Sequence, residues 1–171
     1  MRRVTSGSSA LSTAISRSSW FSNSRTFVAD VAGVKFYNDS KATNVDAALK
    51  AIEAFPGPLI VILGGKDKGS PYTPLKEPLR ERARTVLVIG AAAEKIAADL
   101  GDAVAVENAG TLDRAIQIAS DRARPGDVVL LAPACSSFDQ FENYEHRGRA
   151  FKDLVGKLEN QSAAPASARK G

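Results

Sequence analysis

The sequence predicts an α/β fold: a doubly wound, mostly parallel, Rossmann-like sheet with an antiparallel hairpin at its N-terminal edge. Three observations carry this expectation. Continuous apolar runs such as Leu59-Ile60-Val61-Ile62-Leu63 lack the alternation of a half-exposed strand and match strands buried on both faces. Stretches with a helical apolar stripe separate these runs, so strand and helix alternate along the chain. The pairs Pro56-Gly57 and Pro125-Gly126 stand where two of those helical stretches must stop.

In chain order, Phe27–Val31 and Val34–Tyr37 are β-prone runs separated by Ala32-Gly33, the pattern of a hairpin. Val45, Ala48, Leu49, Ile52 and Phe55 form one helical stripe. After the 59–63 strand, further buried strands are expected at Thr85–Ile89, Ala103–Val106 and Val128–Ala132. Helices are expected over Pro74–Arg84, Ala91–Leu100 and Thr111–Arg124, the last with Thr111 as its cap. A final helix, roughly Arg147–Leu158, places Phe151, Leu154, Val155 and Leu158 on one face.

The chain has 171 residues, enough for one domain with a core of its own. Its ends stand apart. Residues 1–25 hold nine serines, four arginines and no acid, a disordered or transit-like leader composition, without the apolar run of a secretory signal. Trp20 lies in that leader and marks no site. Residues 159–171 are expected to form a disordered tail, leaving 26–158 as the folded domain. The net charge of +4 belongs to the leader, because Thr26 to Gly171 carries 19 basic and 19 acidic residues. A nucleic-acid-binding face is therefore not expected. No run approaches the ~20 apolar residues of a membrane span. The one cysteine and one histidine exclude a disulfide framework and a His/Cys zinc site. Expected localisation is cytoplasmic, or an organelle if the leader directs import.

Ligands of open α/β sheets bind beyond the carboxyl ends of the strands. Three polar segments leave such ends: Asn38-Asp39-Ser40-Lys41-Ala42-Thr43-Asn44, Gly64-Gly65-Lys66-Asp67-Lys68-Gly69 and Pro133-Ala134-Cys135-Ser136-Ser137-Phe138-Asp139. On parallel strands they meet at one rim, which offers lysines, hydroxyls and free N–H groups to an anion or carboxylate. The first segment also reads as a helix cap, although capping does not explain Lys41 beside Asp39. The Gly64-Gly65 pair also reads as a plain turn. A P-loop and a Gly-x-Ser-x-Gly nucleophile elbow are both absent. Cys135 is better explained as a small buried hydrophobe than as the partner of His146 in a catalytic dyad.

These residues resemble a known family. Phe27-Val28-Ala29-Asp30, Gly33-Val34 and Asn38 to Asn44 are similar to the opening of the third domain of the D-glutamate-adding Mur ligases. Leu63-Gly64-Gly65 with Lys68 resembles the next block. Leu131 to Phe141, then Tyr144, Arg147-Gly148 and Phe151, resemble the last. The resemblance covers roughly residues 25–158. It implies an ATP-dependent ligase of peptidoglycan synthesis, in which the carboxylate of UDP-N-acetylmuramoyl-L-alanine is phosphorylated and the amine of D-glutamate then attacks the acyl phosphate. Carried over by position, Thr43, Lys68, Ser137 and Phe138 would hold the carboxylates of D-glutamate. Tyr144 would lie near that pocket, where phenylalanine is usual, and Asp39 and Lys41 would face the nucleotide. Lys66 competes with Lys68 for the lysine role. No catalytic residue and no metal ligand is assigned. ATP and Mg2+ would be cofactors of the full-length enzyme, with neither held tightly by this chain alone. The domains that hold the UDP-sugar and the P-loop in the family have no counterpart in these residues. The implied role is thus a ligase domain inactive alone; a stand-alone amino-acid or nucleotide module and one half of a split ligase are the other expectations.

Overall fold

The computed structural model describes residues 25–164. Its elements are β1 (Thr26–Val31), β2 (Val34–Asn38), α1 (Val45–Glu53), β3 (Leu59–Gly64), α2 (Lys76–Arg82), β4 (Ala83–Ile89), α3 (Ala93–Leu100), β5 (Val106–Gly110), α4 (Leu112–Arg122), β6 (Val128–Leu131) and α5 (Tyr144–Ala163). The leader expected over residues 1–25 lies, but for Arg25, outside the described residues.

The six strands form one sheet in the order β1-β2-β6-β3-β4-β5. Only the β1–β2 pair is antiparallel. Its turn, Ala32-Gly33, has positive φ at both residues (52° and 84°), the twist that two-residue hairpins favour. The alternation of strand and helix thus produces the doubly wound sheet that the sequence predicts. The apolar runs are central strands: every residue of β3 is buried. One face carries Ala48, Ile52, Leu79 and Ile96 from α1, α2 and α3 against Val61, Leu63 and Val88. The other carries Leu112, Ile116, Phe151 and Val155 from α4 and α5 against Ile60, Ile62 and Leu131.

Three elements have bounds that differ in an instructive way from the sequence reading. The fifth strand is Val106–Gly110 rather than Ala103–Val106. It is an edge strand, paired only with β4, so it needs no continuous apolar run, and Ala109 is its one buried residue. The second helix ends at Arg82 because Ala83 already pairs with Leu59 in the sheet. The last helix starts earlier, at Tyr144, where the Asn143 side chain accepts the His146 N–H (2.7 Å). It also continues to Ala163, so the tail expected from residue 159 is helical over its first five residues.

The sheet order places β2, β6 and β3 side by side, all parallel. The three polar segments therefore leave adjacent strand ends. Gly64 makes the tightest of these exits. Its φ of +127° suits glycine, and a Cβ there would collide with the Ile89 carbonyl of β4. We expect Gly64→Ala to destabilise the domain by about 3 kcal/mol or more, from backbone strain plus overpacking. Urea unfolding monitored by circular dichroism measures this; a loss below about 1 kcal/mol would contradict the packing described.

Candidate functional site

The three segments are bonded to one another through the backbone. Asp39 N–H donates to Leu131 O (2.8 Å) and Ala134 N–H to Ala42 O (2.9 Å), joining the first segment to the third. Gly64 N–H donates to Pro133 O (2.8 Å) and Lys66 N–H to Ser136 O (2.9 Å), joining the second to the third. The third segment, central in the sheet, is the common partner.

Arg147 locks this arrangement from beneath. It lies on the first turns of α5 yet has no solvent exposure. Its Nε donates to Ser40 Oγ (2.9 Å), and its Nη2 donates to Ser40 O (2.9 Å) and Cys135 O (3.1 Å). Ser40 Oγ in turn donates to Tyr144 O (2.7 Å). Burial lowers the Arg147 pKa to about 10, so the group stays charged at neutral pH. Hydrogen bonds to a charged group contribute ~1.5–3 kcal/mol each, and the planar fork reaches two segments at once. Nη1 has no partner among the described residues and lies beside Gly65, where a Cβ would approach it to 3.2 Å.

A second tie runs through Tyr72, which is 1% exposed. Its hydroxyl donates to Asp67 Oδ1 (2.8 Å) and lies 3.0 Å from Cys135 Sγ. The hydroxyl proton goes to the carboxylate, so the Cys135 S–H donates to the Tyr72 oxygen. Lys95 Nζ meets Asp67 Oδ2 at 3.1 Å and sits 5.4 Å from the Tyr72 ring centre. Asp67 is therefore turned toward the protein, between the two exposed lysines 66 and 68. The Tyr72 hydroxyl, helped by Lys95, holds the Asp67 carboxyl below its ordinary range. Burial pushes the Tyr72 hydroxyl and the Cys135 thiol up, so both stay protonated.

The structure distributes the sequence-derived residues unevenly. Thr43 is half-buried at the end of the first segment, its N–H donating to Lys41 O (2.8 Å). Ser137 is 2% exposed, and Lys68 is exposed. Phe138 is 67% exposed, and its ring carries no donor, so only its backbone N–H is suited to a carboxylate. Asp39 and Lys41 line different cavities. Asp39 faces one of about 520 Å³ with Arg25, Asn44, Asp46 and Lys50, whereas Lys41 faces one of about 280 Å³ with Tyr144. Asn44 is the cap of α1, its Oδ1 accepting the Ala47 N–H (2.8 Å). Thr111 occupies the cap position of α4 but makes no capping bond; its hydroxyl bonds Asp113 instead. His146 accepts the Glu142 N–H at Nδ1 (3.3 Å), and the thiol of Cys135 is paired with Tyr72, so the two do not form a dyad. The sequence reading gave no role to Arg147, which it placed only in a resembling block, and none to Tyr72. The first had a signal: Arg147 precedes Phe151 by four residues, on the apolar stripe of the last helix.

Among the described residues no group of three His, Cys, Asp or Glu side chains is placed to hold a metal ion. None of their helices is long and apolar enough to cross a membrane.

A doubly wound sheet whose three polar segments leave adjacent strand ends defines an α/β domain with a candidate ligand rim. Comparison with known proteins narrows that class: a profile of the Mur ligase glutamate ligase domain matches residues 25–135, and the chain belongs to this family. It is 65% identical over 129 residues to the UDP-N-acetylmuramoylalanine–D-glutamate ligase of Acidobacterium capsulatum, covering 75% of this chain and 28% of that one. It is 62% identical over 133 residues to the ligase of the same name from Solibacter usitatus, covering 78% and 30%. The chain thus spans less than a third of the length of these relatives. Two solved structures share the fold at low identity. The murein peptide ligase Mpl of Psychrobacter arcticus has a TM-score of 0.57 at 13% identity, over 82% of this chain and 30% of that one. The MurF ligase of Thermotoga maritima, in complex with ADP, has 0.54 at 19%, over 80% and 31%.

Two outcomes follow for the ties. Tyr72→Phe removes the hydroxyl and keeps the ring; we expect a loss of ~1–3 kcal/mol and faster reaction of Cys135 with a thiol reagent. An unchanged thiol rate would contradict the Tyr72–Cys135 tie. Asp67 has a depressed pKa, so its stabilisation is complete above its ordinary value of 3.8 and is lost as pH falls through the lower folded-state value. The melting temperature of wild type should exceed that of Asp67→Asn at about pH 6 and converge on it near pH 2.

Proposed function

We propose that the chain is the C-terminal domain of an ATP-dependent UDP-N-acetylmuramoyl-L-alanine:D-glutamate ligase of cytoplasmic peptidoglycan synthesis. Its part is to hold D-glutamate and to contribute to the nucleotide site. The observation that carries this reading is the rim: three segments locked together by backbone bonds and Arg147, in a chain more than 60% identical to D-glutamate ligases.

D-glutamate carries two carboxylates. Lys68 supplies a cation, Thr43 and Ser137 supply hydroxyl donors, and Phe138 supplies a backbone N–H; Tyr144 adds a ring edge nearby. Lys66, the exposed lysine on the other side of Asp67, competes with Lys68 for that role. Charge-assisted bonds of this kind are about twice as strong as neutral ones. Fixing both carboxylates aims the amine. Such positioning contributes ~7 kcal/mol or more when the geometry is near attack. Asp39 and Lys41, on their separate cavities, are assigned to the nucleotide. The described residues do not fit Mg2+, since no carboxylate cluster exists among them. We assign the metal, the P-loop and the UDP-muramoyl-alanine site to further domains of the ligase.

Titration of the 15N-labelled chain with D-glutamate should give saturable shifts at Thr43, Lys68 and Ser137, with a weaker response to L-glutamate. Lys68→Ala and Ser137→Ala should each weaken binding about tenfold, the loss of one charge-assisted bond. Shifts confined to other residues, or equal responses to both enantiomers, would overturn the assignment. The 171-residue chain given UDP-N-acetylmuramoyl-L-alanine, D-glutamate, ATP and Mg2+ should form no dipeptide product; measurable turnover would contradict the domain role.

A further inference from the structure

The second polar segment carries an acid between two lysines, Lys66-Asp67-Lys68, and the acid pairs with neither. Its partner is Lys95 of α3. We propose that Lys95 is a positioning residue for the D-glutamate site: by drawing the Asp67 carboxylate away from its neighbours, it leaves Lys68, or Lys66 in its place, free to meet a substrate carboxylate. The inference rests on the D-glutamate reading made above and adds the group that keeps its cation available.

Asp67 is held by several groups at once. Lys95 Nζ donates to Asp67 Oδ2 (3.1 Å), to Oδ1 (3.3 Å) and to Ser70 O (3.1 Å). An ammonium has three hydrogens, so these bonds occupy it fully and leave none for a ligand. Lys95 also stands 5.4 Å from the centre of the Tyr72 ring, within cation–π range. Tyr72 donates its hydroxyl to Asp67 Oδ1 (2.8 Å), and the Gly69 N–H donates to the same carboxylate. One turn further along α3, Asp99 Oδ2 accepts the Tyr72 N–H (3.0 Å). The helix thus grips the 67–72 loop through both Lys95 and Asp99.

The lysines on either side of Asp67 are placed differently. Both are exposed, and neither forms an ion pair among the described residues. Lys66 N–H donates to Ser136 O (2.9 Å), which keeps this stretch of the segment beside Ser137. Without Lys95, the Asp67 carboxylate would be the nearest anion to two long, mobile ammonium groups. Pairing with either would cancel a positive charge that the site needs, and an unpaired Asp67 would repel an incoming carboxylate. Lys95 prevents both while touching only the acid. The sign of the charges separates this role from that of a plain brace. Removing Asp67 together with Lys95 should restore what removing Lys95 alone destroys.

The test is a titration of the 15N-labelled chain with D-glutamate. Lys95→Met keeps the apolar stem and removes the charge; it should weaken binding about three- to tenfold, and no more than Lys68→Ala does. Asp67→Asn should bind at least as tightly as wild type. The double variant Asp67→Asn/Lys95→Met should recover wild-type binding to within about twofold, although its melting temperature stays below that of wild type. A brace would instead lose binding in every variant that loses stability.

A second readout needs no ligand: acetylation of Lys66 and Lys68 by acetic anhydride, followed by mass spectrometry. In Lys95→Met at least one of the two should react about twofold slower or more, because an ion pair favours the protonated ammonium. The double variant should react at the wild-type rate. If wild type fails to bind D-glutamate while acetylation follows this pattern, the D-glutamate reading falls and Lys95 remains the group that keeps these lysines free. A Lys95→Met chain that binds D-glutamate as wild type does, a double variant as weak as Lys95→Met, or unchanged acetylation rates would overturn the proposal.

Discussion

A guanidinium without solvent exposure must be matched by acceptors, and Arg147 finds them on two different loops. Ser40 and Cys135 belong to segments that leave β2 and β6, so the group fixes the distance between two strand ends. Moving a charge out of water costs several kcal/mol unless it is well bonded. The carbonyls must therefore stay where the fork can reach them. The rest of the rim inherits that constraint. Ala134 bonds Ala42, Lys66 bonds Ser136, and each site segment is held by its neighbour.

The sheet order explains why one group suffices. With β6 inserted between β2 and β3, the three polar segments emerge side by side, and the central one touches both others. Tyr72 adds a second tie, from Asp67 in the second segment to Cys135 in the third. Lysines, hydroxyls and N–H groups are thus presented by loops that cannot drift apart independently. For the D-glutamate site proposed above this matters more than the number of donors, because fixed donors lose little entropy on binding.

Much of this was legible in the residues, for identifiable reasons. Strands buried on both faces announce themselves as apolar runs, and β3, β4 and β6 were found that way. β5 was displaced by several residues because an edge strand is freed from that requirement. The extent of α5 was underestimated because its last turns carry no buried apolar residues. At the rim, chain order indicated which segments would meet but not which way each side chain turns. Asp39 and Lys41 looked like a pair. Ala42 N–H bonds Asp39 O, however, and that turn separates the two side chains into different cavities. Tyr72 had no signal at all, since an aromatic residue between Pro71 and Pro74 looks like ordinary loop. Arg147 could have been found by extending the stripe of the last helix back one turn, where a charged residue on an apolar face demands buried partners.

The central claim, that Arg147 holds the rim together, is tested most directly by native-state hydrogen exchange on Arg147→Lys. Lysine keeps the charge and loses the fork. The account predicts that the amides of Ala134 and Lys66, whose bonds join the segments, exchange about tenfold faster or more, while those of Val61 and Leu130 in the sheet are little changed. Rim amides that exchange at the wild-type rate in a folded Arg147→Lys domain would contradict it.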